Sequence, residues 1–216
     1  IGIDGEYIRC GHLKVAFTQQ DLDRLQAYNH SVASCGLDLQ WLDAGQVHSR
    51  YPWLSTDIAG ASLCPADGHA NPRLVSPALS WAAQQAGTRL MEHCRIIDSH
   101  YDGRHFQSET ADHQRIQSRF VVNTAGAWAG NIAAMFGEPV PLTEIYPQMG
   151  VTEPLPPTMN VVLGVQGGGI YARQVARGNI VFGGSRALSL AAGYARPSHQ
   201  SVSMLLARLA GLIPGI

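Results

Sequence analysis

Residues 119–129, RFVVNTAGAWA, constrain what this chain can fold into more than any other stretch. Phe120, Val121 and Val122 form an apolar run long enough for a buried strand. Thr124, Ala125, Gly126 and Ala127 follow, all small, and Trp128 opens a patterned segment, residues 129–136, that reads as a helix. A buried strand turning through small residues into a helix brings backbone close to whatever lies at the strand's carboxyl end, where open α/β sheets hold ligands. Gly126 and its neighbours leave room for a flat or phosphate-bearing cofactor, and the helix start offers free N–H groups. A tightly packed strand–helix corner with no ligand fits the same residues, so both readings stand on this stretch alone.

At 216 residues the chain can bury a real core, as one large domain or two small ones. Its formal net charge of −1 gives no field to hold nucleic acid or an anionic membrane. No apolar run reaches the roughly 18 residues of a membrane span, because Asn123, Thr124 and Asn131 interrupt the best candidate. Cys10, Cys35, Cys64 and Cys94 are scattered singly, which reads as buried thiols rather than a disulfide framework. The chain begins Ile1-Gly2-Ile3 and ends Pro214-Gly215-Ile216 just after a helical pattern, so both ends read as interior points of a longer protein.

Residues 6–17 alternate loosely and predict one or two strands around Gly11. Thr18 with Asp21 resembles a capping box for a helix carrying Leu22, Leu25, Tyr28 and Val32, which Gly36 stops. Residues 37–42 read as a strand, Asp43 caps a short helix to Arg50, and Tyr51-Pro52-Trp53 breaks it. Residues 61–64 are strand-like and run into a turn-rich loop, residues 65–72, before a helix that Gly87 ends. Residues 89–91 and 95–100 read as strands, residues 101–104 as a hairpin turn, and residues 115–123 as the return to the central strand. Beyond Pro139-Val140-Pro141 come strands at residues 142–152, 160–165, 170–174 and 179–183, with a turn at Arg177-Gly178. Ser198 caps a last helix with Val202, Leu205, Leu206 and Leu209 on one face.

The nine histidines include no HExxH and no Cys/His cluster at zinc spacing, so no metal site is expected. His100, His105 and His113 fall around the hairpin as exposed residues, while His69 lies in the turn-rich loop, where it could approach a site. Gly167-Gly168-Gly169 leads into a strand rather than a helix and reads as a turn, not a phosphate loop. Gly183-Gly184-Ser185-Arg186-Ala187 is one residue away from a GxSxG nucleophile elbow, but only His199, and no Asp or Glu, follows Ser185. Tyr171 and Arg186 fall near the open end of a hairpin about Arg177-Gly178, and a phenol with a guanidinium makes a carboxylate clamp. The alternative is that Arg186 is one of several exposed arginines, with Arg173 and Arg177, and that Tyr171 is packing.

Four segments decide between these readings: residues 67–72 (DGHANP), 121–129 (VVNTAGAWA), 148–154 (QMGVTEP) and 170–184 (IYARQVARGNIVFGG). In order and spacing the chain resembles the FAD-dependent D-amino-acid oxidase superfamily. The similar branch holds glycine oxidase, the sarcosine oxidase β subunit, hydrogen cyanide synthase and opine oxidase subunits. The resemblance implies an α/β (α+β) chain, with part of an FAD/NAD(P)-binding Rossmann-like domain and a substrate domain on a mixed, largely antiparallel sheet. Residues 1–60 and 139–216 would be substrate-domain segments and residues 61–138 an FAD-domain segment. The resemblance puts Ile96, Thr124, Ala125, Gly126 and Trp128 at the cofactor and Tyr171 on the substrate carboxylate. Arg186 falls on a pocket position that is not arginine in glycine oxidase-like sequences, so its clamp role rests on its chemistry.

The chain departs from the family in lacking the GxGxxG loop that receives the FAD pyrophosphate and the C-terminal segment that returns to the flavin. It resembles the middle of such an enzyme and is not expected to bind FAD or turn over by itself. The implied chemistry of the intact protein is oxidation of an amine next to a carboxylate, with the imine then hydrolysed by water. Sarcosine, proline-type imino acids, glycine and opines all fit. The implied partners are a small amino-acid or amine substrate and hetero-oligomeric subunits, in a protein that is cytoplasmic or reaches a membrane through other parts or partners. Two rivals stay open: a non-catalytic subunit of a hetero-oligomeric amine oxidase or dehydrogenase, and a serine hydrolase using Ser185.

Overall fold

The computed structural model describes residues 2–189 and 194–216, the side chains of Ser185 and Ser189 excepted. In chain order β1 (His12–Ala16), α1 (Gln19–Val32), β2 (Gln40–Asp43), α2 (Ala44–Arg50), β3 (Gly60–Cys64) and α3 (Pro72–Gln85) come first. Then follow β4 (Ile96–Tyr101), β5 (Phe106–Thr110), β6 (Arg115–Ser118) and α4 (Ala129–Met135). After them come β7 (Pro147–Pro154), β8 (Val162–Val165), β9 (Ile170–Gln174) and β10 (Asn179–Arg186). A two-residue ladder of β11 (Leu188–Ser189) with β12 (Ala195–Arg196) leads to α5 (His199–Leu212).

The elements form two compact units, one from the chain up to Ala78 together with Tyr146–Ile216, the other from Leu79–Ile145. These limits differ from the segment ends expected at residues 60 and 138. Residues 61–64 belong to β3, which pairs with both β1 and β2 and is therefore an interior strand of the first unit's sheet. The chain leaves that unit within α3, after Ala78.

The first unit is built on a seven-stranded mixed sheet of order β2-β3-β1-β8-β9-β10-β7. Every pairing is antiparallel except β1 with β8, so the sheet is largely antiparallel, as expected. Strand alternation sends Leu13, Leu63, Leu163, Ala172 and Phe182 to one face, where they form the core with Val47 of α2 and Leu205, Leu209 and Leu212 of α5. Phe182 lies flat over Gly150 on β7, where an added Cβ would overlap its ring. The opposite face carries α1 over β1 and β3: Leu25 is buried there, and Ser62 Oγ donates to Asn29 Oδ1 at 3.0 Å.

The helix caps follow their local sequence. Thr18 accepts from the Asp21 N–H, Asp43 and Gln46 close a capping box on α2, and Ser198 and Ser201 close one on α5. The buried stripe of α5 is Ser201, Leu205, Leu209 and Leu212, whereas Val202 and Leu206 are exposed, a correction to the expected face. The stripe begins at Ser201 because its hydroxyl is buried and donates to Gln148 Oε1 on β7. Residues before Gly11 form no second strand; Ile8 instead makes an isolated antiparallel bridge to His69.

The second unit holds an antiparallel meander, β4-β5-β6, against which the end of α4 packs through Phe136 and Phe106, with ring centroids 5.7 Å apart. Residues 89–91 are not a strand, and β6 stops at Ser118 rather than continuing to Asn123. Phe120 and Val122 are 80% and 81% exposed, so the expected buried strand is absent. A strand exists only where its backbone groups find a neighbour, and among the described residues no strand pairs with residues 119–123.

The β4–β5 turn is held by Asp102, whose carboxylate accepts from the Arg104 and His105 N–H groups and from Gln107 Nε2. These hydrogen bonds, Gln107's foremost, lower its pKa from 3.8 to about 2. A depressed carboxylate stabilises the fold above its unfolded pKa and stops doing so as the pH falls through the folded value. The turn's contribution is therefore expected to decline between about pH 4 and pH 2 and to lose that dependence in Asp102→Asn. Carboxyl-carbon NMR titration of Asp102 checks it; an ordinary carboxylate midpoint would contradict it.

Candidate active site

One transverse row of the seven-stranded sheet reads Trp41, Ser62, Lys14, Gly164, Tyr171, Gly183 and Met149, all on the face opposite the core. Tyr171 stands between two glycines. The vacancy above Gly164 is filled by His12, whose Nε2 would lie 2.9 Å from a Cβ placed there. Tyr171 itself reaches over Gly183 to meet Met149, and its hydroxyl donates to Met149 Sδ at 2.7 Å. A methyl group at Gly183 would overlap the Tyr171 hydroxyl and the Met149 sulfur, so glycine there is a packing requirement.

Beside this row lies a cleft of about 330 Å³ lined by Gly68, His69, Met149, Val162, Tyr171, Ala172, Arg173 and Val181. The loop that walls it is pinned to the chain before β1. Ile8 and His69 exchange backbone hydrogen bonds of 2.8 and 3.0 Å, and the Asn71 N–H donates to Gly5 O at 2.9 Å. Gly68 passes so close to Ile8 that an added Cβ would overlap its carbonyl oxygen. Arg173 is two residues along β9 from Tyr171, hence on the same face, and its Nη1 donates to Ala70 O at 3.1 Å. Burial, and after it the Arg173 charge, hold the His69 pKa below the ordinary imidazole value, which leaves this ring neutral at pH 7.

A second cleft, of about 400 Å³, lies under α1 and includes His12, Lys14, Tyr28, Ser62, Cys64 and Asp67 among its lining. His12 Nδ1 is 3.5 Å from Asp67 Oδ2, and Lys14 Nζ sits 5.7 Å from the Tyr28 ring centroid. Burial lowers the His12 pKa more than the Asp67 carboxylate raises it.

Of the residues singled out from sequence in this unit, Tyr171 lines the first cleft and Arg186 does not. Arg186 is exposed, beyond an irregularity in β10, opposite Pro147. Arg173, read as one more exposed arginine, is the guanidinium that the strand brings to the cleft beside Tyr171. Alternation along IYARQ held the signal, since residues two apart on a strand share a face. Gly167 and Gly168, both at positive φ, turn β8 into β9. The side chain of Ser185 lies outside the described residues, so the serine hydrolase reading gains no geometry. Among the described residues no group of three His, Cys, Asp or Glu side chains is placed to hold a metal, and no helix is long and apolar enough to cross a membrane.

The cofactor candidates lie in the second unit. Asn123 shapes their loop: its Nδ2 donates to Ala129 O at 2.9 Å and its Oδ1 accepts from the Ala125 N–H at 3.2 Å. Gly126 follows at φ 56°, with open space where a side chain would be, and opens a short 3₁₀ turn into α4. Thr124, Gly126 and Trp128 are exposed, and Ala125 is half-buried. Ile96, half-buried, starts β4 opposite Thr110.

The sequence matches the family described as FAD dependent oxidoreductase (DAO) over residues 1–216. The chain belongs to that family. Mouse mitochondrial sarcosine dehydrogenase is 28% identical over 158 residues, covering 70% of this chain and 17% of that protein. Glycine oxidase of Geobacillus kaustophilus is 29% identical over 171 residues, 77% of this chain and 44% of the oxidase. The crystal structure of that oxidase superposes with a TM-score of 0.79 at 25% identity, over 99% of this chain and 56% of the oxidase. This DAO-family chain thus spans about half the length of the glycine oxidase it resembles. The family is FAD-dependent, and the mixed α/β architecture agrees with that of its solved members.

Gly183→Val is expected to force Tyr171 off the sheet and destabilise the protein by about 1–3 kcal/mol, the usual cost of overpacking. Urea unfolding measures it, and an unchanged midpoint would show that Tyr171 does not need the bare backbone beneath it.

Proposed function

We propose that the whole protein is a flavin-dependent oxidoreductase that oxidises the C–N bond of an amino acid or N-substituted amino acid. The observation carrying this reading is Tyr171 at a cleft on the sheet face opposite the core, in a DAO-family chain. The first unit supplies the substrate residues, and the second, Leu79–Ile145, the cofactor residues.

The loop of residues 123–128 fits a flat cofactor. Its backbone is preset by Asn123, the side chains of residues 124–127 are small, and Gly126 leaves open space where a Cβ would stand. Ile96, Thr124, Ala125, Gly126 and Trp128 would line FAD there. When bound, FAD supplies a hydride acceptor for the α-carbon. The chain's own residues bind and orient. The Tyr171 hydroxyl exchanges its weak sulfur acceptor for a carboxylate oxygen, a stronger partner. Arg186 is proposed as a second contact to that carboxylate, reaching it from the exposed end of β10. The amine reacts in its neutral form, and no residue need act as a strong base. Water then hydrolyses the imine.

Tyr171→Phe is expected to raise KM by about tenfold, the loss of one hydrogen bond to a charged group, with flavin content unchanged. Arg186→Ala is expected to raise KM strongly on the same terms. The deciding experiment is the absorption spectrum of the full-length protein before and after anaerobic mixing with N-methyl and D-amino acids. Flavin bands that bleach with an amine support the proposal. A protein that stays colourless after FAD is added overturns it and leaves the non-catalytic subunit of a hetero-oligomeric amine oxidase or dehydrogenase.

A further inference from the structure

We infer that Arg173 is a specificity-determining residue that binds a second carboxylate, so that the substrate is an amino acid or N-substituted amino acid carrying two acidic groups. The inference rests on the reading of Tyr171 as the contact of the first carboxylate.

Arg173 is half-buried in the wall of the 330 Å³ cleft, where partial withdrawal from water strengthens its attraction for a counter-charge. None is recorded. Among the described residues no carboxylate lies within ion-pair distance of it, and the cleft lining contains no Asp or Glu. Carboxylates on the adjoining loops are engaged elsewhere, Glu6 with Asn71 Nδ2 at 2.9 Å and Asp67 with His12. One hydrogen bond, Nη1 to Ala70 O, fixes the guanidinium against the loop and leaves the rest of the donor fork to an incoming group. His69 beside it is held neutral, so it neither competes as a cation nor supplies the missing anion.

Tyr171 and Arg173 share a face of β9 but hold different partners, the Tyr171 hydroxyl reaching across Gly183 to Met149 Sδ and the Arg173 guanidinium being tied to Ala70 O on the loop. Their separate anchoring points to a second subsite rather than part of the first. A ligand meeting both must present two acidic groups separated by a short chain. A cleft of this volume falls in the range that holds small ligands, about 300–1,000 Å³.

The test titrates the full-length protein calorimetrically with glutarate and with glutaramate, its monoamide of equal length, in wild type and Arg173→Gln. Wild type is expected to prefer glutarate by about tenfold or more, and R173Q to bring the ratio within about threefold of unity. Equal affinities in wild type, no binding of either, or a preference that survives in R173Q would each overturn the subsite. If R173Q fails to fold, the wild-type ratio of kcat/KM for N-methylglutamate over N-methylglutamine decides, and a ratio near one rejects the inference. The two proposals fail separately. A colourless protein that still prefers glutarate sinks the oxidoreductase reading and supports the subsite; a flavoprotein that oxidises N-methylglycine without any preference for glutarate overturns the subsite alone.

Discussion

The parallel pairing of β1 with β8 is the joint on which the first unit depends. It sets His12 against Val162 and Lys14 against Gly164, uniting a three-stranded ladder from the start of the chain with a four-stranded one from its end. A parallel register cannot be made by a tight turn and needs a long connection. Here that connection includes the entire second unit. Because the register is fixed, the core face is continuous from Leu63 through Leu13 and Leu163 to Ala172 and Phe182, and the opposite face brings Tyr171 into line with bare glycine backbone on either side. A slip of one residue would exchange the two faces.

The other half of that face carries the polar groups of the first cleft. α1 packs on β1 and β3, while α5 packs on the core side of β9 and β10. What stands in the cleft is sparse and specific: a phenol held by a thioether, a guanidinium tied to a loop carbonyl, and an imidazole kept neutral. Glycine makes the arrangement possible. Gly183 lets Tyr171 lie across the sheet, and Gly68 lets its loop close onto Ile8 to wall the cleft.

Local features were legible in the sequence, because their causes are local. The caps at Thr18, Asp43 and Ser198, the Asp102 turn and the β9–β10 hairpin each depend on residues a few positions apart. Residues 120–122 show where that logic stops: an apolar run predicts a strand, yet Phe120 and Val122 lie exposed for want of a paired neighbour. The face of α5 was misread for a similar reason, as Gln148, 53 residues distant, draws Ser201 inward. In the cleft, Tyr171 was singled out from its hairpin position and by family resemblance, whereas Arg173 was read as one more exposed arginine, although alternation alone puts the two on one face. His69 joins them through its bridge to Ile8, a contact that no spacing within residues 65–72 could reveal.

The central claim is that Tyr171 marks where a substrate carboxylate sits. It is tested most directly by placing 3-fluorotyrosine at position 171 of the full-length protein and titrating with methoxyacetate, the ether analogue of N-methylglycine that offers the carboxylate without an oxidisable amine. The account expects a saturable fluorine shift at position 171 as the hydroxyl leaves Met149 for the ligand, with fluorotyrosine at position 28, on α1 of the same unit, unmoved. A resonance at position 171 that stays still at saturating ligand would contradict it.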